Sequence, residues 1–193
     1  MKSICLFMIT GLLLFSIFFF KKTNSPPFEN VVRKNANQNA FEFYENYIDV
    51  PCEVTRFVKF VNENKDKEMN LINTSNGIAL LADALVARID KRDIEDRDII
   101  LKSKNLKTYA MAIGTENNYI KNGNKIKKSF LLTTMLMERM QPKYFPGLED
   151  QILKVKKEAE NYHADELIML QKFVIVNFFV SSGNVLQSMA RNS

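Results

Sequence analysis

Residues 148–162, LEDQILKVKKEAENY, place Leu148, Ile152, Val155, Ala159 and Tyr162 at a spacing of 4, 3, 4 and 3. Only an α-helix gathers such positions on one side. Two heptads are too few for a free coiled coil, so this segment is expected to pack against other helices. The same periodicity recurs along the chain. Val54, Phe57, Val58 and Val61 follow it after Pro51. Ile78, Leu81, Ala82, Leu85 and Ile89 follow it after the polar cluster 73–77, which reads as a loop or helix cap. Residues 90–98 are almost all charged and of mixed sign, and they read as a turn, because the apolar face loses its phase there before Ile99, Leu106, Tyr109, Ala110 and Ile113. Residues 130–137, FLLTTMLM, predict a helix ended by Gln141 and Pro142. Phe41, Tyr44 and Ile48 predict a short aromatic-faced helix from residue 40.

Strand alternation is missing throughout. The pair Asn122-Gly123 suits a hairpin turn, but too little alternation flanks it, so residues 114–128 read as a loop between helices. The fold class expected is all-α, a bundle of about five to seven helices behind an N-terminal hydrophobic helix. In residues 167–180, 11 of 14 positions are apolar, the exceptions being Gln171, Lys172 and Asn177. A polar trio of this kind is costly in hydrocarbon. The segment therefore reads as the central helix of the bundle, covered all round, with Val174 and Phe178 toward one neighbour and Ile175 and Phe179 toward another.

At the other extreme of the chain, residues 4–20 hold no charge, with Lys2 before them and Lys21 and Lys22 after. Seventeen residues of helix span roughly 25 Å, near the lower limit for crossing a bilayer. The run ends in three phenylalanines and two lysines rather than in a small-residue cleavage site, which favours an uncleaved anchor over a removed signal. The expected organisation is thus residues 1–23 as membrane anchor or uncleaved signal, 24–39 as polar spacer, and 40–193 as helical domain. The body is expected outside the cytoplasm, and secreted should residues 1–23 be removed.

The formal net charge is +5 over 193 residues. Without residues 1–23 the chain has 24 basic and 22 acidic residues, so most of the excess belongs to the anchor and a general nucleic-acid role loses its support. Charge is nevertheless segregated. Residues 102–128 hold Lys102, Lys104, Lys107, Lys121, Lys125, Lys127 and Lys128 against Glu116, whereas residues 29–98 hold 14 acids and 10 bases. These lysines are the candidate contact for an anionic partner or lipid head groups, in competition with a role facing the chain's own acidic part. The stretch holds no arginine for bidentate phosphate recognition.

Catalytic patterns are scarce. Glu160-Asn161-Tyr162-His163 is an E-x-x-H, but His163 is the only histidine, so a ferritin-type di-metal site, which needs two such motifs, is excluded. Cys52 and His163 match no nucleophile signature; Cys52 reads as a buried small residue beside a helix start, or as a bridge between chains. Glycine patterns for phosphate loops and nucleophile elbows are absent. Asn73-Thr74-Ser75 matches an N-glycosylation sequon. No catalytic residue, cofactor or metal is expected. The reading is a membrane-tethered, extracytoplasmic, non-enzymatic bundle that binds a protein partner or senses the envelope. The alternative is a module whose 15 phenylalanines and nine methionines line a cavity for a lipid or fatty chain.

Overall fold

The structure, a computed structural model, describes residues 50–191, all within one compact unit, Phe43–Ser193. The expected anchor, spacer and aromatic-faced helix at residue 40 lie outside the described residues. Six α-helices follow in order: α1 Cys52–Asn64, α2 Leu71–Lys91, α3 Arg97–Ala112, α4 Tyr119–Tyr144, α5 Glu149–Asn161 and α6 Lys172–Arg191. A 3₁₀ turn, Ile168–Gln171, leads into α6, and no strand occurs among the described residues.

Each helix packs on the next in sequence, and α6 closes the bundle against α1 and α2. Short links between packed neighbours make consecutive helices antiparallel. The bundle therefore has two ends. One gathers the C-termini of α1, α3 and α5 with the N-termini of α2, α4 and α6; the other gathers the opposite termini. We call them the apolar end and the charged end, for reasons given below.

Most positions of the predicted stripes are buried, with Val58 half-buried and Tyr109 of α3 exposed. Val54, Phe57 and Val61 of α1, Ile78, Leu81, Ala82, Leu85 and Ile89 of α2, and Ile152, Val155, Ala159 and Tyr162 in and after α5 all face the core. At its centre Phe130 stacks on Phe178 with ring centroids 3.8 Å apart, and its edges meet Tyr162 at 5.4 Å and Phe179 at 5.9 Å. Phe179 also meets Phe57 and Phe60 edge to face. Its ring approaches α2 so closely that a Cβ at Gly77 would lie 2.6 Å from it, so this position accommodates only glycine without a shift.

Four expectations change. Helix α4 runs through Pro142 to Tyr144 instead of ending at Gln141 and Pro142. Residues 73–77 lie inside α2 rather than before it. The cap is Asn70, whose side chain accepts from the Asn73 N–H at 2.8 Å. Residues 119–128 are helical, not a loop, because Asn118 caps α4 by accepting from the Lys121 N–H at 2.9 Å. Asn122 serves the preceding link instead of a turn of its own. It accepts from the Gly114 N–H at 2.9 Å and donates to the Glu116 carbonyl at 2.8 Å. Gly123 lies against the backbone of Ala164, which its lack of a side chain permits. Finally, α6 is not covered all round. Among the described residues Ile168–Arg191 is the one helical stretch long and apolar enough to cross a membrane, but 56% of its apolar window is buried in the bundle. Phe173 is exposed, while Ile175, Phe178 and Phe179 are buried. The charge block 90–98 does form the predicted turn, with Asp93 in the left-handed region at φ 47°.

Candidate functional surfaces

The two ends differ in chemistry. At the charged end, Asp96 caps α3, accepting from the Asp98 N–H at 2.9 Å and the Ile99 N–H at 3.3 Å. Arg139, reaching across from α4, donates through Nη2 to Asp96 Oδ2 at 3.0 Å and also pairs with Asp98. Lys102 donates to Asp98 Oδ2 at 2.6 Å. Asp96 and Arg139, with Asp93, Glu95, Ile99, Lys143 and Tyr144, edge an open cleft of about 390 Å³. The same end of the bundle holds a buried charge on the core-facing side of α2. The fully buried Arg88 donates to the Met189 carbonyl and sits 5.6 Å from the centroid of Phe145, which also receives Arg92 at 5.3 Å.

Partial desolvation pushes the Asp96 carboxyl up, but the Ile99 and Asp98 N–H groups and Arg139 together outweigh it and leave it below the ordinary aspartate value. A carboxyl lowered on folding contributes stability above its unfolded pKa of about 3.9, and that contribution is lost as acid passes through the lower folded value. The urea midpoint is therefore expected to fall below about pH 4, and Asp96→Asn, which keeps a capping oxygen without the titration, should show a shallower acid limb. An equal slope in both proteins would refute the cap and pair.

The seven candidate lysines do not form one patch. Lys102 pairs with Asp98 and Lys107 with Asp83, each at 2.6 Å. Lys121 and Lys125 pair with Glu116 at 2.7 and 3.1 Å. Lys127 donates to the carbonyls of Ala159, Glu160 and Tyr162 at 2.7–2.9 Å, closing the C-terminus of α5. Burial lowers its pKa, partly offset by Glu160. Lys104 and Lys128 are exposed, without an ion pair among the described residues.

Nor are the catalytic candidates assembled. Cys52 is exposed rather than buried, because it precedes the first core position of α1. Its thiol donates to Glu53 Oε1 at 3.1 Å, and that bond raises its pKa, the opposite of nucleophile activation. It lies at the charged end and His163 at the apolar end. His163 falls beyond the last residue of α5, so the E-x-x-H does not share a helix face with Glu160. Its backbone is held by Gln171, which accepts from the His163 N–H and donates to the His163 carbonyl, both at 2.7 Å. In the sequon, the Asn73 amide donates to the Glu68 carbonyl at 3.0 Å, and Thr74 is buried. No group of three or more His, Cys, Asp or Glu positioned to hold a metal ion occurs among the described residues.

The clustered phenylalanines and methionines pack on one another. Phe130, Phe178, Phe179, Met137, Met140 and Met189 all belong to the continuous core. Tyr162 joins them with its hydroxyl buried and without a hydrogen-bond partner, and burial pushes its pKa up to about 12. An acid raised on folding stabilises below its unfolded pKa of about 10, and that stability is lost as pH rises through the folded value. Tyr162→Phe should therefore leave stability at pH 7 within about 1 kcal/mol and remove part of the alkaline loss above about pH 10. A large loss at neutral pH would show that the hydroxyl has a partner.

At the apolar end the surface is the unforeseen feature. Met169, Leu170 and Phe173 are 72%, 73% and 78% exposed. Ile72 in the first turn of α2, Met111 in the last turn of α3 and Tyr119 at the start of α4 are likewise exposed. Tertiary bonds bring these termini together. Ser75 donates to the Ala110 carbonyl at 2.8 Å, and Lys172 to the Asp66 carbonyl at 2.9 Å. The sequence hint was an excess: the run 167–170 is apolar at every position, more than one core stripe requires.

The chain matches no protein-family model, no curated protein and no solved structure. The class that the described residues define is a six-helix antiparallel bundle with exposed apolar side chains among charged ones at one end and an ion-paired cleft at the other.

Proposed function

We propose that the chain is a membrane-tethered, extracytoplasmic helical bundle that acts by binding a protein partner rather than by catalysis. The tether is the uncharged run 4–20 with its flanking lysines. The observation that carries the reading is the polarity of the bundle: protruding apolar side chains at one end, and at the other a charged cleft edged by Asp93, Glu95, Asp96, Arg139 and Lys143. An open, ion-paired cleft suits a polar protein surface better than a buried small ligand.

The test is made on the full chain in its native cells, with a photocrosslinking residue in place of Lys143. Expected are retention in the membrane pellet after alkaline extraction, degradation by protease added from outside the cytoplasmic membrane, and a crosslinked adduct containing a second protein. Extraction into the soluble fraction would overturn the tether, protection from external protease the orientation, and lack of any adduct the binding role.

A further inference from the structure

Large apolar side chains at high exposure are unremarkable singly, but a contiguous set marks a contact surface. Here Ile72, Met111, Tyr119, Met169, Leu170 and Phe173 come from the ends of α2 and α3, the start of α4 and the entry to α6, and connectivity brings them to one end of the bundle. We propose that this end is seated in the interfacial layer of the same bilayer that residues 4–20 enter, so that the bundle stands on the membrane with its charged cleft outward.

Three observations favour lipid over a protein occupant. The side chains protrude, with Met169, Leu170 and Phe173 all more than 70% exposed, instead of lining a recess that a partner helix would fill. Aliphatic, thioether and aromatic side chains that project from helix ends insert between lipid chains without a matching shape on the other side. Second, the rim carries both signs, Lys65, Lys67 and Lys121 beside Asp66, Glu68, Asp165 and Glu166, all exposed. Such a mixed rim stays hydrated at head-group level and offers no patch of a single sign to steer a protein partner. Third, the reach is sufficient. Helix α1 begins at the charged end, and the longest helix of the bundle, α4 with 26 residues, is about 39 Å long. Twenty-nine residues, 21–49, span at most roughly 95 Å, enough length for both apolar elements to meet one membrane.

The inference rests on the tether proposed above, and its test separates the two. Full-length chain carrying Cys5→Ser and Cys52→Ser is reconstituted in phosphatidylcholine vesicles containing spin-labelled lipid. An environment-sensitive fluorophore is attached through Leu13→Cys, Leu170→Cys or Lys143→Cys in separate preparations. Expected is strong quenching at positions 13 and 170 and none at 143, with quenching at 170 lost when Met169→Asp and Phe173→Asp are added. Both added changes are at exposed positions, so circular dichroism should stay unchanged. Quenching at 13 without quenching at 170 would overturn the seated end and leave the tether standing. Quenching at 170 without quenching at 13 would support the seated end and overturn the tether. A probe at 170 that is shielded yet unquenched, in a complex of doubled mass, would assign this end to a second copy of the chain and overturn the inference.

Discussion

Phe130→Ala is expected to cost the bundle about 4 kcal/mol. The side chain is fully buried and touches three other rings, stacking on Phe178 and meeting Tyr162 and Phe179 edge to face. Removing it loses the transfer energy of a benzyl group and leaves a hole that three rigid rings cannot close by changing rotamer. Aromatic pairs of this geometry add about 0.5–1.5 kcal/mol each beyond area alone, although losses at one site do not sum. Urea denaturation followed by circular dichroism should show a lower midpoint at unchanged slope, and heating a Tm lower by roughly 10–15 °C. Phe130→Leu, which keeps most of the apolar volume, should lose less than half as much. A cost under about 2 kcal/mol for the alanine variant would mean that α4 and α6 do not meet through this stack.

Gly123→Ala is the second large effect, and its sign runs against local preference. In a helix interior alanine is ordinarily better than glycine by about 1 kcal/mol. At this position the added Cβ would lie 2.1 Å from the Ala164 carbonyl oxygen and 2.9 Å from its carbon, both backbone atoms. The link between α5 and α6 must retreat, and Lys127, one turn further on, loses its alignment with the three carbonyls that it caps. Overpacking of this kind outweighs the propensity gain, for a net loss of about 2 kcal/mol. Gly183→Ala provides the contrast within the same protein. There the new Cβ would sit 3.6 Å from Val58 and 3.7 Å from Phe57, ordinary contacts, so that variant should match or exceed the parent by up to about 1 kcal/mol. Amide exchange at the end of α5 should accelerate in the Gly123 variant alone. Equal stability of the two variants would show that the 163–171 link does not rest on α4.

The helices were legible where one apolar stripe alternates with solvated positions, as in Leu148 to Tyr162, because a helix side buried against one layer imposes that period directly. They were hidden where polar residues work at helix starts. Asn70, Asn118 and Asn122 satisfy nearby backbone groups, but each stands among other asparagines that could cap equally well, and an Asn-Gly pair looks the same in a turn as in a helix pressed against backbone. Surface chemistry was less legible still. The lysines of residues 102–128 are consecutive in sequence but divide among Asp98, Asp83, Glu116 and the end of α5. Conversely, Ile72, Met111 and Phe173 are far apart in sequence and come together only through antiparallel connectivity. Arg88 falls on the apolar side of its own helix, three residues after Leu85, and only the Met189 carbonyl and Phe145 show how a charge is accommodated there.

The way α6 closes the bundle sets an order of events during synthesis. Contacts along α1 to α5 are mostly between sequence neighbours, so these hairpins can form in chain order as each helix emerges into the compartment where the domain folds. Phe178 and Phe179, however, arrive last, and the groove beside Gly77, Phe57 and Phe130 stays open until they do. The bond from Lys172 to Asp66 closes a loop of more than a hundred residues, an entropic cost that is met in one late step. A nascent chain paused before residue 172 would hold five helices with the aromatic centre unsealed, and that is the stage at which it would most need a chaperone.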